Sequence, residues 1–481
     1  MKNFKLALSS MQDAKIKTTK KYPIYGILLF IFLFVLIILG IEKKNIIFVA
    51  TQILVVFCIL IHWIEYFKCK YPSLSDAIVF CFSVLFFCVA PNLQLYLGGK
   101  FLVNTSPFNE IFASFVNIIY AVFIFIYIYV RKSYRIEAGK IILNNARYEV
   151  ERLDKLYSTL LIFFVFSVVS AFLAYKDVEM RVISINNIND GTVSIKDFFV
   201  NKVLYFFPYG FVALVIVFRK KIQTVHGLFW FLLLLAGSCL LITKNPLLVK
   251  RNSLGPVYIS LVYLWSERIR YSKKLTLIVA LSIIVIFFPL SSMFTNVKFD
   301  EWDFSAKNMH AVISSHFLEL HYDAWSNFHA VIEIVNGKDG LSYGKQLLGA
   351  ILFFVPRSFW LEKPLATGNL IGDYLSSNYA MWFNNLSSPF ISEAYIDFGI
   401  MGIPVYAYLL ARLTILLDKL TFSVKSWARI AGVYFAVYVF FVLRGSLMIA
   451  VAYGAGSVLV FYVMYVMGRS KFKFKNFFLR R

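Results

Sequence analysis

Residues 343–370 read YGKQLLGAILFFVPRSFWLEKPLATGNL, and residues 388–402 close the same region with SPFISEAYIDFGIMG. The apolar run Leu347–Val355 covers about nine residues, whereas a helix needs roughly 20 to cross a hydrocarbon core. It ends at Pro356 and Arg357, and Trp360, Glu362, Lys363 and Pro364 follow. A short apolar segment closed by charge and aromatic rings suits a dip into the membrane surface. There an Arg can snorkel and a Trp can sit at headgroup level. Ionisable groups at membrane depth also mark function. The stretch is therefore a candidate anion site at the mouth of a membrane cavity.

Elsewhere the chain alternates long apolar runs with short polar joints. Its 481 residues are 60% hydrophobic and 18% aromatic, with a mean hydropathy of +0.72. That composition excludes a soluble globular protein and predicts an all-α, polytopic membrane protein. About 12 runs have the length and apolarity of spans: 23–41, 46–64, 77–97, 108–130, 156–175, 198–218, 226–242, 253–266, 275–294, 390–416, 427–444 and 447–468. The first follows a Lys-rich N-terminus, is too long for a signal-peptide core and lacks a small-residue exit. It reads as an uncleaved span. The five Cys fall mostly inside apolar runs and form no CxxC pair, which suits packing.

The formal charge of +23 does not call for nucleic acid, because the basic residues cluster at the ends of spans. With the N-terminus inside, segments 1–22, 65–76, 131–155, 219–225, 267–274, 417–426 and 469–481 hold about 30 of the 49 Lys and Arg. The alternate joints hold about 16. Both termini are thus expected in the cytoplasm: a basic N-terminus at 1–22, nine spans across 23–294, a large extracytoplasmic loop at 295–389, three spans across 390–468, and a basic tail at 469–481. The basic segment 131–155 is expected as a surface helix on anionic lipid. Long loops tend to be functional. In the loop 295–389, Met309, Ile313, Phe317, Leu320, Ala324, Phe328, Val331 and Val335 recur at steps of three and four, which predicts one amphipathic helix. Its opposite side would carry His316, Glu319, Asp323 and Ser326, and it would lie on the outer face or cap the bundle.

Three Arg stand beside outward-pointing helix starts. Arg251 precedes the eighth span, Arg357 precedes the tenth, and Arg444 precedes the twelfth. Helix N-termini with Arg suit phosphate, and Lys244, Lys250 and Lys363 add to the local charge. Each Arg could instead snorkel or pair with a carboxylate of the loop. Glu393 and Asp397 lie four apart and share a face of the tenth span. Glu393 is a candidate general base for a sugar hydroxyl, or else an ion-pair partner of Arg357 or Arg444. Four His fall in the loop helix (His310, His316, His321 and His329) at spacings of 6, 5 and 8. These match no common zinc pattern and HExxH is absent, so neither a metal nor another cofactor is expected.

Five segments carry a family resemblance: TKNPLLVKRNSLGP (243–256), HYDAW (321–325), YGKQLLGAILFFVPRSFWLEKPLATG (343–368), SEAYIDFGIMG (392–402) and VLRGSL (442–447). Together they resemble the oligosaccharide repeat-unit polymerases, also called Wzy-type O-antigen polymerases, over about residues 243–450. Family members often carry Pro where this chain has Leu361. The resemblance implies a GT-C-like bacterial inner-membrane glycosyltransferase. Such an enzyme moves a growing glycan from undecaprenyl pyrophosphate onto a new lipid-linked repeat unit at the outer face. It implies no metal, and a chain-length regulator as a further partner. In that light Arg251, Arg357, Lys363 and Arg444 are the expected pyrophosphate clamp. Glu393 is the expected base, with Asp323 and His321 behind it, and Trp360, Trp382 and Tyr395 are expected to stack on sugars. The alternatives are an O-antigen ligase, which shares the donor, a lipid-linked glycan flippase or other transporter, in which an internal repeat of spans is expected, and a structural membrane subunit of a polysaccharide assembly complex.

Overall fold

The computed structural model describes residues 22–39, 44–98, 101–145, 156–184, 199–223, 227–246, 249, 251–287, 305, 315–337 and 340–469. Among them every regular element is a helix, apart from an isolated β-bridge between Phe101 and Pro107. The first half contributes α1 (Tyr22–Ile38), α2 (Ile46–Lys68), α3 (Leu74–Leu97), α4 (Glu110–Asn145), α5 (Leu156–Ser184), α6 (Phe207–Val217), α7 (Leu228–Thr243) and α8 (Arg251–Trp265). The second half contributes α9 (Lys273–Ser282), α10 (Ala324–Asn336), α11 (Lys345–Ile351), α12 (Thr367–Tyr379), α13 (Phe390–Phe398), α14 (Gly402–Thr421), α15 (Ser426–Arg444) and α16 (Leu447–Arg469).

Eight segments among the described residues are long and apolar enough to cross a membrane: Ile46–Lys68, Leu74–Leu97, Glu110–Arg135, Leu156–Lys176, Phe199–Val217, Phe390–Thr421, Ser426–Arg444 and Leu447–Gly468. Three expected spans, at 23–41, 226–242 and 253–266, fall on shorter apolar helices. The ninth overlaps α9, which continues as a π turn to Phe287, and the rest of it lies outside the described residues. The chain is an all-α polytopic membrane protein.

The helix α3 is the centre of the bundle, buried along its whole apolar window. Its π turn at Leu85–Val89 comes just before Pro91. Proline lacks an N–H and crowds the carbonyl four residues back, and a widened turn relieves that crowding. Around α3, α2 packs on α4, α4 on α14, and α14 on α15. Outward faces stay apolar: Ile27, Ile31 and Val35 of α1, Val165 and Phe172 of α5, and Val458 and Tyr462 of α16 are exposed, as lipid contact requires.

Polar groups inside the bundle are joined in chains. Lys44 donates to Asn92, Asn92 to Gln52, and Gln52 to Asn117, which also accepts from Trp325 of α10. Burial pushes the Lys44 amine down to about 8. Near the other end, Arg131 binds Asp76 at 3.1 Å and Asp418 at 2.6 Å, and His62 stands 2.9 Å from Asp76.

Three expectations are corrected. First, α4 runs unbroken to Asn145, so the start of 131–155 is no separate surface helix. Arg131 is buried in ion pairs instead of meeting lipid, and residues 146–155 lie outside the described residues. Second, the apolar stripe of the loop does not form one helix. Residues 320–322 take a 3₁₀ turn, the α-helix starts only at Ala324, and Met309 and Ile313 lie outside the described residues. Residues 324–332 are buried on every side, Ser326 and Asn327 included, so α10 is a core helix and not a surface cap. Third, the tenth expected span, which falls within Phe390–Thr421, is not one continuous α-helix, because Gly399 adopts a φ of +59°. Glu393 and Asp397 sit on the nine-residue α13, while α14 has 20 residues, roughly 30 Å of helix.

Candidate functional site

The site is organised around the turn between α15 and α16. Arg444 closes α15, and its guanidinium Nη2 donates to Asp323 Oδ1 at 3.1 Å and to the Leu320 carbonyl at 2.9 Å. Asp323 is itself held: Ser387 Oγ donates to Oδ1 at 2.6 Å and Asn327 Nδ2 to Oδ2 at 2.9 Å. After Arg444 the backbone turns. Ser446 Oγ accepts from Gly368 N at 2.8 Å, and Leu447 N donates to Glu393 Oε1 at 3.0 Å. Thr367 Oγ1 donates to Glu393 Oε2 at 2.7 Å. Glu393 thus caps the N-terminus of α16, where unpaired N–H groups and the helix dipole favour a carboxylate.

Four residues on, Asp397 does the same for α11. It accepts from Gln346 N at 3.0 Å, Leu347 N at 2.8 Å and Ser342 Oγ at 2.5 Å. The first turn of α11 begins after Gly344, whose φ of +84° an L side chain would resist. The two carboxylates of α13 therefore fix two different helix starts. α11 then packs on α16. A Cβ on Gly349 would come within 2.6 Å of Met448 Cε and 2.7 Å of Pro364 Cγ, so a side chain there would force these neighbours to shift.

The loop that follows α11 wraps on itself. Arg357 donates to the carbonyls of Lys363 at 2.5 Å and Pro364 at 3.1 Å, and Lys363 Nζ donates to those of Phe353 at 2.6 Å and Val355 at 2.9 Å. Loss of water, and then the neighbouring Arg357, hold the Lys363 amine below its usual range. Phe359 and Leu361 are each 86% exposed, so an apolar tip surrounds two cations. That form suits the expected interfacial dip.

The fold brings Asp323, Arg444 and Glu393 to one turn, with His321 two residues from Asp323, and Pro364, at the end of the 357–364 loop, lies with Met448 of α16 beside Gly349. Arg251 is the first residue of α8, and its side chain lies outside what the structure describes. Trp382 is 81% exposed and Trp360 half-buried, so both rings are reachable. Tyr395 is corrected: it is 5% exposed, with Phe115 and Phe328 against its ring edges, and it packs the core instead of meeting a sugar. Glu393 pairs with neither Arg; the carboxylate partner of Arg444 is Asp323. Burial pushes His329 down to about 4, so it stays neutral at pH 7. The sequence assigned no site role to Thr367 or Ser387, and marked Ser446 only as a helix start. The runs Ala366–Thr367 and Ser387–Ser388–Pro389 before helices were their only signal.

No protein-family model, curated protein or solved structure matches the chain.

Proposed function

We propose that this chain is a membrane glycosyltransferase of the polymerase type, joining undecaprenyl-pyrophosphate-linked repeat units into a surface polysaccharide at the outer face of the bacterial inner membrane. In this reading about 12 helices span the bilayer, the loop 295–389 is extracytoplasmic, and both termini are cytoplasmic. One observation carries the reading: four of the five segments that bear the resemblance bond to one another. HYDAW meets VLRGSL through Asp323 and Arg444, SEAYIDFGIMG meets VLRGSL through Glu393 and Leu447, and SEAYIDFGIMG meets YGKQLLG through Asp397 and Gln346.

The transfer breaks the bond from the anomeric carbon of the growing chain to a pyrophosphate oxygen. A new bond forms from that carbon to a hydroxyl oxygen of the incoming unit, whose proton passes to a base. Undecaprenyl pyrophosphate leaves with the electron pair. Negative charge grows on its oxygens, so fixed cations are the largest help the protein can give. Arg444, with Arg357 and Lys363 on the neighbouring loop, supplies them. Glu393 is the first base candidate. Its two oxygens accept from Thr367 Oγ1 and Leu447 N, which fix the orientation of the carboxylate.

Surface glycan from a deletion strain tests this. Single repeat units are expected. Unattached long polymer would indicate a ligase, and internal accumulation a flippase; either result removes the polymerase reading.

A further inference from the structure

The turn before α10 holds a cluster of which the polymerase reading uses only His321, as a reserve base. His321 Nε2 lies 3.3 Å from Glu319 Oε2, and His316 Nδ1 lies 3.8 Å from the same oxygen. One donor atom from each of the three side chains falls within 4.8 Å of the others. The imidazole rings stack at 3.7 Å with 26° between their planes. A separation of 3.8 Å is too long for a hydrogen bond. It is close to the spacing of two ligands on one small cation, roughly 3.3 Å for tetrahedral bonds near 2.0 Å.

We propose that His316, Glu319 and His321 bind a divalent transition-metal ion of the Zn²⁺ class. Two imidazoles and one carboxylate are the donor set such ions take, whereas Mg²⁺ and Ca²⁺ prefer oxygen alone. The side chain of His316 is 4% exposed, His321 19% and Glu319 52%, so the site is built from within and open on one side. That opening leaves a coordination position for water. The spacing missed the trio because it assumed a continuous helix; the 3₁₀ turn at 320–322 folds His321 back over His316. The ion would tie down the segment whose Leu320 carbonyl and Asp323 hold Arg444. A metal-bound His321 is no longer available as a base. The inference stands apart from the polymerase reading.

The test uses the full chain in lipid discs, purified through a tag without histidine and stripped with chelator. Titration with Zn²⁺ alone should give one ion per chain. Co²⁺ used as a probe should give the visible absorption of a four-coordinate site. His316→Ala and His321→Ala should each weaken binding on the order of 10-fold or more. Should a histidine variant fail to fold, Glu319→Gln alters a half-exposed side chain and should still weaken binding. Absence of binding to the wild type, or equal affinity in wild type and a folded variant, would overturn the proposal.

Discussion

Arg444 and Asp323 form a pair in which each group depends on the other for its neutralisation. Asp323 is almost sealed from solvent and Arg444 largely so. Removing one partner of a buried pair costs about 3–5 kcal/mol, because the other charge is stranded. Asp323→Ala should therefore lower the melting temperature sharply and abolish polymer. Arg444→Lys should keep more stability but lose most polymer, since an ammonium cannot reproduce a planar fork reaching both Leu320 and Asp323. Thermal melting in detergent and a glycan ladder from cells read both effects. An unchanged melting point in Asp323→Ala would show that the pair carries no weight. Glu393 separates structure from chemistry in a different way. In Glu393→Gln the amide oxygen can still face Leu447 N, and the amide N–H can face Thr367, whose hydroxyl reverses its role. That variant should fold normally. Glu393→Ala strands both donors and should cost about 1–3 kcal/mol. If Glu393 is the base, the Gln variant binds lipid-linked substrate yet turns over 10²–10⁴-fold more slowly, the usual worth of a general base. Near-normal turnover would leave Glu393 as a positioning residue.

At the level of elements, the start of α11 is held from α13, while its body packs on α16. Asp397 satisfies three donors at the start of α11, so Asp397→Ala should disturb that end by about 1–3 kcal/mol while the spans stay intact. The expected signature is a large loss of polymer with a small change in global melting. A comparable fall in both would make Asp397 a core residue only. Arg357→Ala should behave similarly: the exposed guanidinium buries little, but its loss opens the bonds that close the loop on Lys363 and Pro364. Normal abundance with no polymer is expected, and full polymer would remove Arg357 from the site. The elements that were legible from sequence are the long ones, because twenty apolar residues leave few choices to the chain. The short ones were not. The 309–335 stripe had helical period, yet a 3₁₀ turn interrupts it and tertiary burial covers His316, Asp323 and Ser326 of its polar side. Period reports which residues are apolar together, not where a helix begins. In the same way Glu393 and Asp397 were correctly placed on one helix, but the N–H groups they bind lie 54 and 50 residues away in sequence, beyond the reach of any local pattern.

Beside the candidate site, the described residues bury two further polar clusters at different places along the bundle. One joins Lys44, Asn92, Gln52, Asn117 and Trp325, and ties the first spans to α10 and so to the candidate site. The other joins His62, Asp76, Arg131 and Asp418 where α2, α3, α4 and α14 approach the basic joints. Basic residues accumulate on the cytoplasmic side of membrane proteins. The second cluster should then face the cytoplasm and the Arg444 turn should face out. Composition made this orientation arguable, but the partners of Arg131 come from two other helices, α3 and α14, and were hidden in the sequence. Single-cysteine labelling decides the matter. All five native Cys are buried, so background from an impermeant thiol reagent should be low. Lys140 and Trp382 are both exposed. Lys140→Cys should label only after the cells are opened, and Trp382→Cys should label in intact cells. Labelling of Lys140→Cys from outside would invert the topology. It would put the Arg444 turn and the 357–364 loop on the cytoplasmic side, where a glycan assembled at the outer face cannot reach them.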